Sequence, residues 1–237
     1  MNIVIIGATS GIGEALFNIY IESGHTVGIA GRRTSRLHEL QQGAPHTTIV
    51  QTIDIDNKLA VETGVSAFKS QMGHIDLVIV CAGTGHLNPE LDYEKEHSTL
   101  ATNIVGWTHV IDYCYLLLQA QGYGQLVAIT SAGGLRGEPV APAYSASKAY
   151  QINYIEALRK KAFKDSRHIT VTDIRPGLVD TAMAKGEGLF WVMPTHKVAH
   201  QIVQAIERKA TKCYVTRRWR WVAMLNKSLP WNIYKWL

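Results

Sequence analysis

Short apolar runs alternate along this chain with longer stretches whose apolar residues recur every three or four positions. Residues 3–6, 26–30, 48–53, 77–80, 126–130 and 169–174 predict strands. Several are almost unbroken Val, Ile and Leu, the composition of strands covered on both faces. Residues 13–22, 58–72, about 94–120 and 144–164 predict helices, and 213–216 a last strand. The repeated β-α-β order predicts an α/β fold built on a doubly wound parallel sheet with right-handed crossovers. A ligand crevice is then expected beyond the carboxyl ends of the strands.

The 237 residues suffice for one sizeable core, and no Pro/Ser-rich linker or internal repeat divides them. The three cysteines, Cys81, Cys114 and Cys213, are scattered, which fits reduced thiols in a cytoplasmic setting and gives no metal-ligand spacing. Residues 1–6 read as a first strand and not as a signal peptide, and no run is long enough to span a membrane. The net charge of +5 is unevenly placed. Residues 208–237 hold eight Lys/Arg and no Asp/Glu, giving +8, whereas residues 1–207 carry −3. A main unit over 1–206 is therefore expected, with a basic, Trp-rich extension over 207–237.

The first apolar run enters Gly7-Ala8-Thr9-Ser10-Gly11-Ile12-Gly13. Glycines there permit a tight turn, let backbone N–H groups approach a pyrophosphate, and open a helix whose dipole favours the anion. An ordinary glycine-rich turn is the plainer alternative, weakened by the position between strand and helix. The second strand ends at Arg32-Arg33, where an NAD site would place an acidic residue for the ribose 2′-hydroxyl. A guanidinium matches a 2′-phosphate in geometry and charge, so NADP(H) is preferred over NAD(H).

Tyr144 and Lys148 lie four apart on a predicted helix and share one face. A free tyrosine titrates near pH 10, and a neighbouring ammonium favours the phenolate. Tyr144 can then pass a proton to a carbonyl oxygen or take one from an alcohol. Ser131 follows the fifth predicted strand and can hold that oxygen by a hydrogen bond. Singly, each residue has a bland reading: a turn serine, a helix-kink asparagine at 103, a chance Tyr-Lys pair. Their joint order makes coincidence a poor explanation.

Over residues 3–205 the chain resembles the classical short-chain dehydrogenases/reductases, with GxxxGxG at Gly7–Gly11–Gly13, Asn103, Ser131, Tyr144-x-x-x-Lys148, and Pro176-Gly177 followed by Thr181. The resemblance implies a single Rossmann-type domain with a short C-terminal helical extension. It implies that Gly7, Ser10, Gly11, Ile12 and Gly13 hold the pyrophosphate side, that Arg32 and Arg33 meet the adenosine ribose, and that Asp54 and Ile55 contact adenine. Asp54 as a helix N-cap is the alternative. Ala82 and Gly83 would lie close to the cofactor; Cys81 stands where the family usually has asparagine, and Ile6 where it usually has threonine. Pro176, Gly177 and Thr181 would flank the nicotinamide, Lys148 would bind its ribose, and Asn103 would hold a water linking Lys148 to solvent. The implied activity is reduction of a carbonyl or oxidation of the alcohol. A 3-oxoacyl thioester reductase and a non-catalytic nucleotide sensor are the alternatives. A homodimer or homotetramer packing through 94–120 and 144–164 is implied as well.

Residues 182–194 carry Met183, Leu189, Phe190, Trp191, Val192 and Met193, a candidate lid over an apolar substrate, or else a helix packed on the core. Arg136 and His86 are the polar residues placed to approach that pocket. Residues 217–237 combine four tryptophans from position 219 onward with five basic residues, and Pro230 divides them into two short helices. This composition suits an anionic membrane surface or a subunit arm equally; nucleic-acid binding lacks a module to support it.

Overall fold

The first strand, β1 (Asn2–Ile6), has both faces covered: Ile3, Val4, Ile5 and Ile6 are fully buried. Residues 1–165, 168–183, 191–216 and 218–236 are described in this computed structural model. β1 lies beside β2 (Thr26–Gly31), which pairs with β3 (Thr48–Thr52). On its other side β1 pairs with β4 (Leu77–Val80), followed outward by β5 (Tyr123–Ile129), β6 (His168–Pro176) and β7 (Lys212–Val215). All these pairings are parallel, in the order β3-β2-β1-β4-β5-β6-β7. The order reverses between β1 and β4, the switch point at whose carboxyl ends such sheets bind their ligands. β7 draws the first residues of the basic extension into the sheet.

Val4, Ile6, Val78 and Val80 point to one face, where α3 (Lys58–Met72), α5 (Trp107–Gln121) and α6 (Pro142–Lys164) supply Phe68, Trp107 and Ile155. Ile3, Ile5 and Ile79 point to the other, against α1 (Gly11–Glu22) and α7 (Thr195–Glu207), which supply Leu16, Phe17 and Ile202. Burying each such side chain contributes about 1.5–3 kcal/mol. The alternation explains the near-continuous apolar runs: neighbouring residues feed two separate cores.

Two helices go beyond the predicted set. α2 (Thr34–Gln42) buries only Leu37, so its sequence shows little apolar stripe. α7 buries Val198, Ala199, Ile202, Ala205 and Ile206 along one face. The helix expected over 94–120 is three pieces in line: α4 (Tyr93–Leu100), a π-helical segment Ala101–Gly106, and α5. After β7 come α8 (Trp219–Ser228) and α9 (Trp231–Tyr234), parted at Pro230 as the sequence predicts.

Candidate functional site

The glycine turn and Arg33 form one end of the crevice. Gly7 has φ +92°, and a Cβ on it would run into the backbone of Cys81 and Ala82; one on Gly13 would collide with the Gly7 carbonyl. Only glycine fits this cradle, which packs backbone against backbone and sets the N-terminus of α1, whose N–H groups suit a phosphate, at its edge. The Ser10 side chain makes no capping bond to the first turn of α1. It accepts instead from Arg33 Nη2 at 2.6 Å, and Thr9 Oγ1 accepts from Arg33 Nε and Nη2 at 3.1 and 2.7 Å. Arg33 is thus pinned across the glycine turn, whereas Arg32 extends from the end of β2 as an exposed side chain. These residues fit an anionic dinucleotide whose ribose end reaches β2.

Asn57 caps α3 by accepting from Ala60 N at 3.1 Å, so the capping alternative for Asp54 falls away. Asp54 Oδ1 accepts from Asp56 N at 3.1 Å, and Ile55 is buried beside it. Ala82 and Gly83 follow β4. A Cβ on Gly83 would stand 3.2 Å from Asn103 Oδ1 and 3.5 Å from Lys148 Nζ, which places the cradle and the catalytic group side by side. Burial pushes the Cys81 thiol up to about 12, which disfavours a nucleophilic thiolate there. Thr181 reaches back to Gly11, whose added Cβ would lie 3.1 Å from Thr181 Cγ2. Pro176 closes β6, and Gly177 N donates to Val215 O at 2.7 Å.

The candidate catalytic group converges on α6. Pro142 opens that helix, a position that needs no N–H. The Glu96 carboxylate from α4 accepts from Ala143 N at 3.0 Å and favours the positive end of the helix dipole. Tyr144 is therefore fixed in the first turn and Lys148 one turn on. Ser131 leaves β5 in extended conformation, and its hydroxyl hydrogen-bonds the Tyr144 phenol and accepts from Gly133 N at 3.0 Å. Lys148 Nζ stands 5.8 Å from the centre of the Tyr144 ring.

Asn103 sits in the π-helical segment, which turns its amide toward the loop after β4. Its Oδ1 accepts from Thr84 N at 2.8 Å, and its Nδ2 donates to Thr84 O at 2.7 Å and Ser147 Oγ at 3.0 Å. Gln151 completes the network. Its Nε2 donates to Asn103 O at 2.8 Å, while its Oε1 accepts from Lys148 Nζ at 2.9 Å. A fully buried amide side chain thus joins the Asn103 backbone to Lys148, beside the water expected at Asn103. The signal was available: Gln151 lies three residues beyond Lys148 on the same helical face.

Burial dominates the charges of this group. It pushes the Tyr144 phenol up, and the Ser131 hydrogen bond offsets part of that rise. It also pushes the Lys148 ammonium down to about 8 against the opposing pull of Cys81 and Asp173. The protein alone therefore disfavours both charges, and a bound cation near Tyr144 would favour the phenolate.

Arg136 engages the C-terminal helices: its Nη2 donates to Leu229 O and to Lys227 O, the latter at 3.3 Å, and its guanidinium lies 4.7 Å from the Tyr234 ring. His86 is exposed. Most of the expected lid lies outside the described residues. Its return is described: Met193 bridges Val179, and Asp180 N donates to Met193 O at 2.8 Å. No group of His, Cys, Asp and Glu that could hold a metal occurs among the described residues.

The family model for short chain dehydrogenases matches residues 1–189. An uncharacterised oxidoreductase of Mycobacterium tuberculosis is 31% identical over 234 residues, covering 94% of this chain and 91% of the relative. Among solved structures, serine dehydrogenase from Escherichia coli superposes with a TM-score of 0.71 at 26% identity, over 75% of this chain and 83% of that one. A short-chain dehydrogenase from Burkholderia cenocepacia in complex with NADP gives 0.86 at 22% identity, over 100% of this chain and 96% of its own.

Proposed function

The chain belongs to the short-chain dehydrogenase family, and from that premise we propose that it is an NADP(H)-dependent oxidoreductase that interconverts an apolar carbonyl compound and its alcohol. The convergence of Ser131, Tyr144 and Lys148 beside the glycine cradle carries this reading. NADPH, when bound, supplies the hydride. Gly7, Ser10, Gly11, Ile12 and Gly13 hold its pyrophosphate side, with Asp54, Ile55, Ala82 and Gly83 along its length. Arg33, held by Thr9 and Ser10, and Arg32 beside it meet the 2′-phosphate. Pro176, Gly177 and Thr181 flank the nicotinamide end.

Ser131 Oγ donates to the carbonyl oxygen and fixes its direction. The Tyr144 hydroxyl gives that oxygen its proton as the alcohol forms, and takes it back in the reverse direction. Lys148 supplies positive charge beneath the phenol and donates to the ribose. Gln151 and Asn103 hold Lys148 in place and continue its hydrogen bonds toward Thr84 on the crevice rim. A homodimer or homotetramer through α4–α5 and α6 is part of the same reading; Leu116 and Phe163 on those helices are exposed.

The test follows loss of reduced cofactor against a panel of ketones, aldehydes and 3-oxoacyl thioesters, with NADPH and NADH side by side. Turnover with NADPH at least about tenfold faster than with NADH is expected, and Arg32→Asp together with Arg33→Ala should erase that preference. Tight NADPH binding with no turnover on any carbonyl would instead favour a nucleotide sensor.

A further inference from the structure

The C-terminal helices have two apolar sides, and the described residues cover one of them. On α8, Val222 and Ala223 turn inward, and the Trp219 ring lies on Gly177. The helix rests on the turn Ala132–Leu135 that follows Ser131. Tyr234 adds a bond from its hydroxyl to Gly137 O at 2.6 Å. The opposite side of α8 carries Trp221, Met224 and Leu225, one stripe by their i, i+3, i+4 spacing. They are 71%, 48% and 65% exposed. Trp231, Ile233 and Trp236 extend the apolar surface through and past α9 at 67%, 53% and 82% exposure.

A helix apolar on both sides is ordinarily buried on both. The charges around this surface select its cover. Arg218, Arg220, Lys227 and Lys235 are all exposed, and residues 208–237 contain no acidic side chain. Two copies meeting through this face would press cations against cations. Anionic headgroups supply the missing negative charge. Tryptophan rings and basic heads both settle at headgroup depth. We propose that the outer face of α8 and α9 docks on an anionic phospholipid surface, with both helices lying in its plane. The contact is separate from the redox reading, and it sets the crevice wall after Ser131 next to the lipid.

The full chain should cosediment with vesicles of phosphatidylcholine containing roughly one third phosphatidylserine, and remain in solution with phosphatidylcholine alone. NaCl at about 0.5 M should release it. Trp221→Ser with Leu225→Ser, and separately Arg220→Glu with Lys227→Glu, should each weaken binding about tenfold or more. These side chains are exposed, so circular dichroism and NADPH titration should match the parent protein. The proposal is overturned if the full chain stays in solution with both vesicle types. It is equally overturned if binding ignores headgroup charge or survives both double substitutions. Sedimentation showing an oligomer that the Trp221/Leu225 variant dissociates, without vesicle binding, would assign the face to a second copy.

Discussion

The floor of the crevice and the C-terminal cap are neighbours in space built on opposite terms. On the floor, Asn103, Ser147, Lys148 and Gln151 are buried, and their side chains are tied to one another and to backbone carbonyls by hydrogen bonds of 2.7 to 3.3 Å. The cap is attached through Arg136, Tyr234 and Trp219, and turns much of its apolar surface outward. A closed network leaves each buried group one arrangement, because any lost partner exposes the desolvation cost of the other. A cap seated by its inner face can change its outer face without disturbing the floor. On the proposed function, the contrast separates what would fix the reaction from what would fix substrate and location.

The largest effect should come from the floor. Tyr144→Phe keeps the ring and removes the atom that carries the proton, so turnover should fall about a thousandfold while NADPH affinity stays within about twofold. Steady-state rates and cofactor titration check this; near-normal turnover would remove Tyr144 from the mechanism and dissolve the contrast.

Next is the stability linked to Lys148. Its folded value near 8 lies below the ordinary 10.5, so between those limits the unfolded chain binds a proton that the native chain has released. Stability from this group therefore rises with pH across that window. Lys148→Met has no such proton. The gap between the parent and Lys148→Met in urea-unfolding free energy should shift in the parent's favour by about 3 kcal/mol from pH 8 to 10.5. A gap independent of pH would mean that Lys148 is not desolvated as the structure indicates.

The smallest effect belongs to the cap. Arg136→Ala loses bonds to Leu229 and Lys227 carbonyls and the contact with Tyr234, which should cost about 1 kcal/mol or less of global stability. Turnover should change less than about threefold, but proteolysis after Arg218 or Arg220 should accelerate. A turnover loss as large as that of Tyr144→Phe would show the cap to be part of the floor.

How much of this was legible follows from sequence distance. The β-α-β order, the glycine turn and the Tyr144–Lys148 pair are local patterns, and they stand where the sequence places them. The π-helical segment was not legible, because Ala101–Gly106 has the same residue types as an α-helix and differs only in the bonds that bring Asn103 to Thr84. The contacts of Arg136 with the tail were not legible, because these partners lie 91 and 93 residues away and no short-range signal announces them. Arg33 was legible as a cation at the right place, but its two hydroxyl partners on the glycine turn come from folding alone.

Gly177 and Trp219 occupy one space between them, since the indole fills the volume where any side chain at 177 would begin. A side chain at 177 would have to displace the indole, and with it the start of α8. The bare backbone after β6 is thus a socket for the tail.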